Sequence, residues 1–160
     1  MTETNPADRT KAAPKRRFGG TPAQILSSLK FYKVLAYATG TMLLLLTAEL
    51  VVRYGFGSVL MAGGTNAVTG ESHGFGFVAI NAVSGGVNLS TTVLIVHGWM
   101  YVVYLIADFR LWSLMRWRFP KFILIALGGV IPFLSFIVEG RIHKQVLAEV
   151  AANPQAPKRY

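Results

Sequence analysis

Phe122-Ile-Leu-Ile-Ala-Leu-Gly-Gly-Val-Ile-Pro-Phe-Leu-Ser-Phe-Ile-Val138 is a run of seventeen residues without a charge, bounded by Lys121 and Glu139. That length is the short limit for a helix crossing bilayer hydrocarbon. Pro132, in its middle, is tolerated where neighbouring helices satisfy the carbonyl it frees. The run therefore reads as a membrane span over about 121–139. This reading decides the fold, because it makes the number of crossings odd and sends the C-terminus to the side opposite the N-terminus.

Two longer runs precede it. Val34–Val52 holds Leu43-Leu44-Leu45-Leu46 and one charge, Glu49; Leu89–Ala107 has His97 as its only ionisable residue. Nineteen residues each cover roughly 28 Å at about 1.5 Å per residue, close to a hydrocarbon core. The spans are placed at about 34–53, 89–108 and 121–139. Before the first, Thr21-Pro22-Ala23-Gln24 marks a helix start, with a capping residue, proline at the first helical position and glutamine three after the cap. It predicts a short interfacial helix ahead of the first span. The expected fold is an all-α membrane protein with three transmembrane helices.

Composition agrees with a membrane location. Of the 160 residues, 52% are hydrophobic and 14% charged, with mean hydropathy +0.45, too apolar for a soluble domain of this size. Sixteen Lys and Arg against seven Asp and Glu give a formal charge of +9. Those charges cluster between apolar runs instead of covering a water-facing surface, so no nucleic-acid partner is expected. The absence of cysteine excludes disulfides, thiolate nucleophiles, iron–sulfur clusters and cysteine-based zinc sites.

The basic residues set the orientation. Seven lie between Arg9 and Lys33 and four between Arg110 and Lys121, whereas the chain from Tyr54 to Phe109 has no Lys or Arg. The N-terminus is therefore placed inside and the loop 54–88 outside. Three crossings put the C-terminus outside, against the rule, since Arg141 and Lys144 follow the third span. Residues 1–20 read as a disordered basic cytoplasmic tail, 21–145 as the membrane domain and 146–160 as a C-terminal tail. The outer loop contains nine of the sixteen glycines between Gly55 and Ser90, which predicts turns and irregular coil.

The candidate site is a polar stripe. His97, Tyr101, Tyr104 and Asp108 are spaced by four, three and four, so they line one face of a helix. Glu49 and Arg53 are four apart in the order that favours an ion pair, and Glu139 closes the third run. Ionisable groups at membrane depth are costly and usually face the bundle or water. They serve either as a proton or small-solute path or as hydrogen-bonded glue between helices. Gly40, Gly98, Gly128 and Pro132 are candidate helix-packing positions. No local spacing supports a catalytic constellation, a metal site or a haem, so no enzyme activity and no cofactor are expected.

The segments Asn88-Leu-Ser-Thr-Thr-Val-Leu-Ile-Val-His-Gly-Trp, Asp108-Phe-Arg-Leu-Trp and Gly128-Gly-Val-Ile-Pro-Phe resemble a bacterial membrane-protein family. It is the small YdzA-like family, domain of unknown function 3817, in its actinobacterial form. The resemblance covers roughly Lys33 to His143. It implies an integral, multi-pass plasma-membrane protein with three hydrophobic helices, and His97, Gly98, Tyr104, Pro132 and Glu139 match recurring positions of unassigned role. Two functions remain open. One is an accessory or assembly subunit packed against a larger membrane complex; the other is a homo-oligomeric small-solute or proton-linked carrier using the His97–Asp108 stripe. The expected partners are the lipid bilayer and other membrane subunits or further copies of the chain.

Overall fold

The computed structural model describes residues 18–154. Most of the basic N-terminal tail and the tip of the C-terminal tail lie outside the described residues. Among those described, the order is α1 (Pro22–Gly55), β1 (Ser58–Ala62), β2 (Thr65–Asn66), β3 (Phe75–Ala79), β4 (Val83–Ser84), β5 (Val87–Asn88), α2 (Leu89–Met115), α3 (Phe119–Gly128) and α4 (Leu134–Ala152).

The first helix starts as the sequence indicates. Thr21 accepts from the backbone of Gln24, whose side chain accepts from the Thr21 backbone, and Pro22 opens the first turn. No separate interfacial helix follows. Nothing between Pro22 and Gly55 breaks the pattern, so α1 runs unbroken for 34 residues, about 51 Å at the usual rise. It pairs antiparallel with α2. Gly19 N–H donates to Leu114 O (2.7 Å) at one end, and the Ser90 hydroxyl donates to Glu49 Oε2 at the other. These two helices are long and apolar enough to cross a membrane.

The third run corrects the expectation of three spans. It is two helices joined by a break at 129–133, where Gly129 and Val130 N–H turn back to the carbonyls of Ala126 and Leu127 and Phe133 adopts a left-handed conformation, φ 65°. Gly-Gly followed by Pro132 removes the propensity and one donor that a continuous helix needs. The ten residues of α3 are only about 15 Å long. α4 then runs back antiparallel to α3. Lys121 Nζ donates to Gln145 Oε1, Trp117 Nε1 donates to Glu149 Oε2 (3.2 Å), and a Cβ at Gly128 would lie 3.4 Å from Ser135 Cα. The hairpin thus returns to its starting end, and the last turns of α4 lie beside α1 and the start of α3. The end of the described chain is not on the side opposite its start.

The glycine-rich segment is also more ordered than expected, so the chain is not all-α. Three strands pair in the order β3-β1-β5 and two in the order β2-β4, all antiparallel. Alternation over Ser58–Ala62 buries Val59 and Met61 against the helix ends. Glycine permits the tight returns: Gly64 has φ 101°, and a Cβ at Gly86 would stand 2.4 Å from the Gly63 carbonyl oxygen. Leu60 N–H donates to Ser90 Oγ (3.0 Å), fastening the sheet to α2.

The core lies at the basic end, where all four helices meet: Ile25, Leu29 and Tyr32 of α1, Leu111 of α2, Ile125 of α3 and Val146 of α4 are fully enclosed. A Cβ at Gly129 would stand 2.6 Å from two ring carbons of Tyr101. Replacing Gly129 with alanine is expected to destabilise the protein by about 1–3 kcal/mol through overpacking. The same change at Gly98, which has nothing within 4 Å of its Cβ position, should leave the midpoint of thermal unfolding in detergent unchanged.

Candidate functional site

The stripe on α2 is real and faces inward. His97, Tyr104 and Asp108 are buried and Tyr101 is half-buried. Their rings form a column: His97 stacks on Tyr101 with centroids 6.4 Å apart, Tyr101 on Tyr104 at 6.1 Å, and Tyr32 of α1 joins Tyr104 at 5.8 Å. Two hydroxyls in the column serve the broken helix. Tyr104 donates to Ile125 O (2.6 Å), a carbonyl that the helix ending there leaves short of a donor, and Tyr101 gives Ala126 O (3.2 Å) a second donor beside Gly129 N–H. Ser135, in the first turn of α4, donates to Ala36 O of α1 (2.8 Å). The close approach needs Gly40, whose Cβ would meet the Ser135 side chain at 3.0 Å.

Below the break lie two buried carboxyls. Asp108 is completely enclosed, and neither of its oxygens has a hydrogen-bond partner among the described residues. Glu139, 3% exposed, has Oε1 likewise unpartnered apart from His143 Nδ1 at 3.9 Å. Between them stands Tyr32, whose ionisable neighbours are Tyr104, Asp108 and Glu139 and whose hydroxyl completes no hydrogen bond among the described residues. Tyr37 also borders Glu139. Among the described residues neither carboxyl forms an ion pair with Lys or Arg. The arrangement can accept a proton or a cationic group; it offers no activated nucleophile. No cluster of three His, Cys, Asp or Glu suited to a metal ion occurs among the described residues.

The remaining sequence candidates separate. The returning hairpin carries Glu139, Arg141 and His143 toward the basic half, not the outer half where three crossings would have put them. Glu49 and Arg53 stay at the sheet end but do not pair; Glu49 is held by Ser90. Gly128 packs against Tyr104 and Ser135, Pro132 sits in the break, and Gly98 faces outward. Tyr32 of α1, a residue type favoured at membrane interfaces, is instead fully buried. Ser28 and Thr39 of α1 and Ser135 of α4 are buried polar residues as well. The signal was present: Ser28, Tyr32, Ala36, Thr39 and Gly40 recur at helical spacing along one face of α1.

The model of the family described as domain of unknown function DUF3817 matches residues 29–144. The chain belongs to this family. The match takes in the helix pair, the sheet and the hairpin to His143. Among similar proteins, uncharacterized protein Rv1342c of Mycobacterium tuberculosis is 28% identical over 142 residues, covering 89% of this chain and 95% of the relative. Mb1377c of Mycobacterium bovis matches to the same extent. Uncharacterized protein ML1176 of Mycobacterium leprae is 42% identical over 45 residues, 28% of this chain and 38% of its own. No solved structure matches.

Replacing Tyr104 with phenylalanine keeps the ring column but strands the Ile125 carbonyl in the core. The expected cost is about 1–3 kcal/mol, read as a lowered unfolding midpoint for the purified protein in detergent.

Proposed function

We propose that this protein is an integral plasma-membrane protein whose two long helices cross the bilayer, and that it acts as an accessory or assembly subunit of a larger membrane complex, not as an enzyme. In this reading the α3–α4 hairpin enters the bilayer only part-way from the basic end, and both ends of the described chain face the cytoplasm. Lys and Arg support that orientation: apart from Arg53, those among the described residues belong to the half that contains the hairpin.

One observation carries the subunit reading. The hairpin tip reaches only about the level of Gly40 and Tyr101, so beyond it the sheet-side halves of α1 and α2 pack on each other with only the sheet at their ends. On that half of α2, Leu94, Ile95, Trp99 and Val102 are exposed, and with Gly98 they line a shallow groove of about 300 Å³. A small residue flanked by large apolar ones suits the close approach of another membrane helix. The carrier reading is kept as an alternative on the strength of the unpartnered Asp108 carboxyl. Against it, the hydroxyls of Tyr101 and Tyr104 are committed to backbone carbonyls.

The test is purification of the full chain from its native membrane in mild detergent, with identification of every chain retained at stoichiometric ratio. Foreign subunits are expected. Gly98→Leu, whose Cβ position is open, should release them without lowering the unfolding midpoint. A homo-oligomer with no foreign chain, combined with loss of reconstituted flux in Asp108→Asn, would favour the carrier instead. Because the chain lacks cysteine, orientation can be tested with single additions. Ser72→Cys should react with an impermeant maleimide in intact cells, and Ala148→Cys only after lysis.

A further inference from the structure

The sheet end carries a single basic side chain among the described residues, Arg53, in the last turn of α1. Glu49, one turn earlier, is placed to neutralise it but accepts the Ser90 hydroxyl instead. Among the described residues Arg53 has neither an ion pair nor a hydrogen-bond acceptor. It lines a cavity of about 150 Å³ between the sheet and the helix ends, with Asn81 and Asn88 as the other polar residues and Val59, Met61 and Val78 among the walls.

The polar groups around this cavity can act as donors. Asn88 caps α2, and its Oδ1 is occupied by Thr91 N–H (3.0 Å), which leaves its amide nitrogen. The first turn of α2 contains no acidic residue, and the Glu49 carboxylate that Ser90 holds there lies outside the cavity lining. No carboxylate lines the cavity. A guanidinium fork beside two side-chain amides, with no carboxylate in the lining, forms a setting for a tetrahedral or planar oxyanion.

We propose that the Arg53 cavity binds a phosphate-type oxyanion, supplied either as a free anion or as the head group of an anionic phospholipid. The site is distinct from the buried carboxyls and does not rest on the subunit reading.

The full chain in detergent is titrated with inorganic phosphate by calorimetry. In parallel, native mass spectrometry compares retention of phosphatidylglycerol and phosphatidylcholine. At least one anionic probe should bind, and Arg53→Gln should weaken it by about tenfold or more, the loss expected for a charge-assisted hydrogen bond. Asn81 has φ 69°, so Asn81→Gly removes the amide without straining the turn and should weaken binding severalfold. Arg53-dependent phosphate binding assigns a free anion; Arg53-dependent retention of phosphatidylglycerol over phosphatidylcholine, without a phosphate response, assigns a lipid. Failure of both probes on the unmodified chain overturns the proposal. So does undiminished binding in a folded Arg53→Gln variant. If that variant does not fold, undiminished binding in both Asn81→Gly and Arg53→Lys has the same force.

Discussion

A helix that stops among apolar side chains leaves carbonyl oxygens that water cannot reach, and in this protein α3 stops in the middle of the bundle. The hydroxyl of Tyr104 takes the carbonyl of Ile125 and that of Tyr101 adds a second donor to Ala126, and much else follows from that requirement. The tyrosines can reach only because Gly129 presents no Cβ to the Tyr101 ring. They fix the depth at which the chain reverses, and Ser135 then fastens the returning helix to α1. Buried polar groups of this kind are costly when unmet and specific when met.

The reversal sorts the charges. Arg141 and Lys144 come back to the end that already holds Lys30, Arg116, Arg118 and Lys121, and the conflict created by an odd number of crossings disappears. The same end gains a fastening of its own, in which Lys121 lies over the Trp117 ring, 4.1 Å from its centroid, while Gln145 and Glu149 bind the partners of that pair. At the other end the work falls to Ser90, which joins α1, α2 and β1 through one hydroxyl. Between them the two helices have a well-packed half and a sparsely covered half.

Much of this was legible in the residues. Apolar length gave α1 and α2, the capping box gave the start of α1, and spacing by four, three and four gave the inward stripe from His97 to Asp108. The hairpin was not legible from hydropathy, because a run of seventeen apolar residues has the same hydropathy whether it crosses or turns back. The evidence against crossing was local: Gly128-Gly129 with Pro132, and a basic C-terminal flank on the wrong side. Those two signs read together favour a reversal; read apart, each has an ordinary explanation. The sheet was missed for a different reason. Its strands are two to five residues long, too short for alternation to stand out among glycines. Tyr32 is of a type that a membrane interface also favours, so only its helical register with Ala36 and Gly40 marks it as buried.

The hairpin that turns back also bears on how the chain enters a bilayer during synthesis. In the proposed two-crossing topology, α3 and α4 would never have to be moved to the far side, and the described basic residues after Phe109 would stay in the compartment where they are made. Of the cations among the described residues, Arg53 alone must be carried over, at the trailing end of α1. A basic residue is tolerated far better near the end of an apolar segment than at its centre, where insertion costs about 2.5–3.5 kcal/mol. In that topology biogenesis would transfer one guanidinium among the described residues, in the position where that transfer is least opposed.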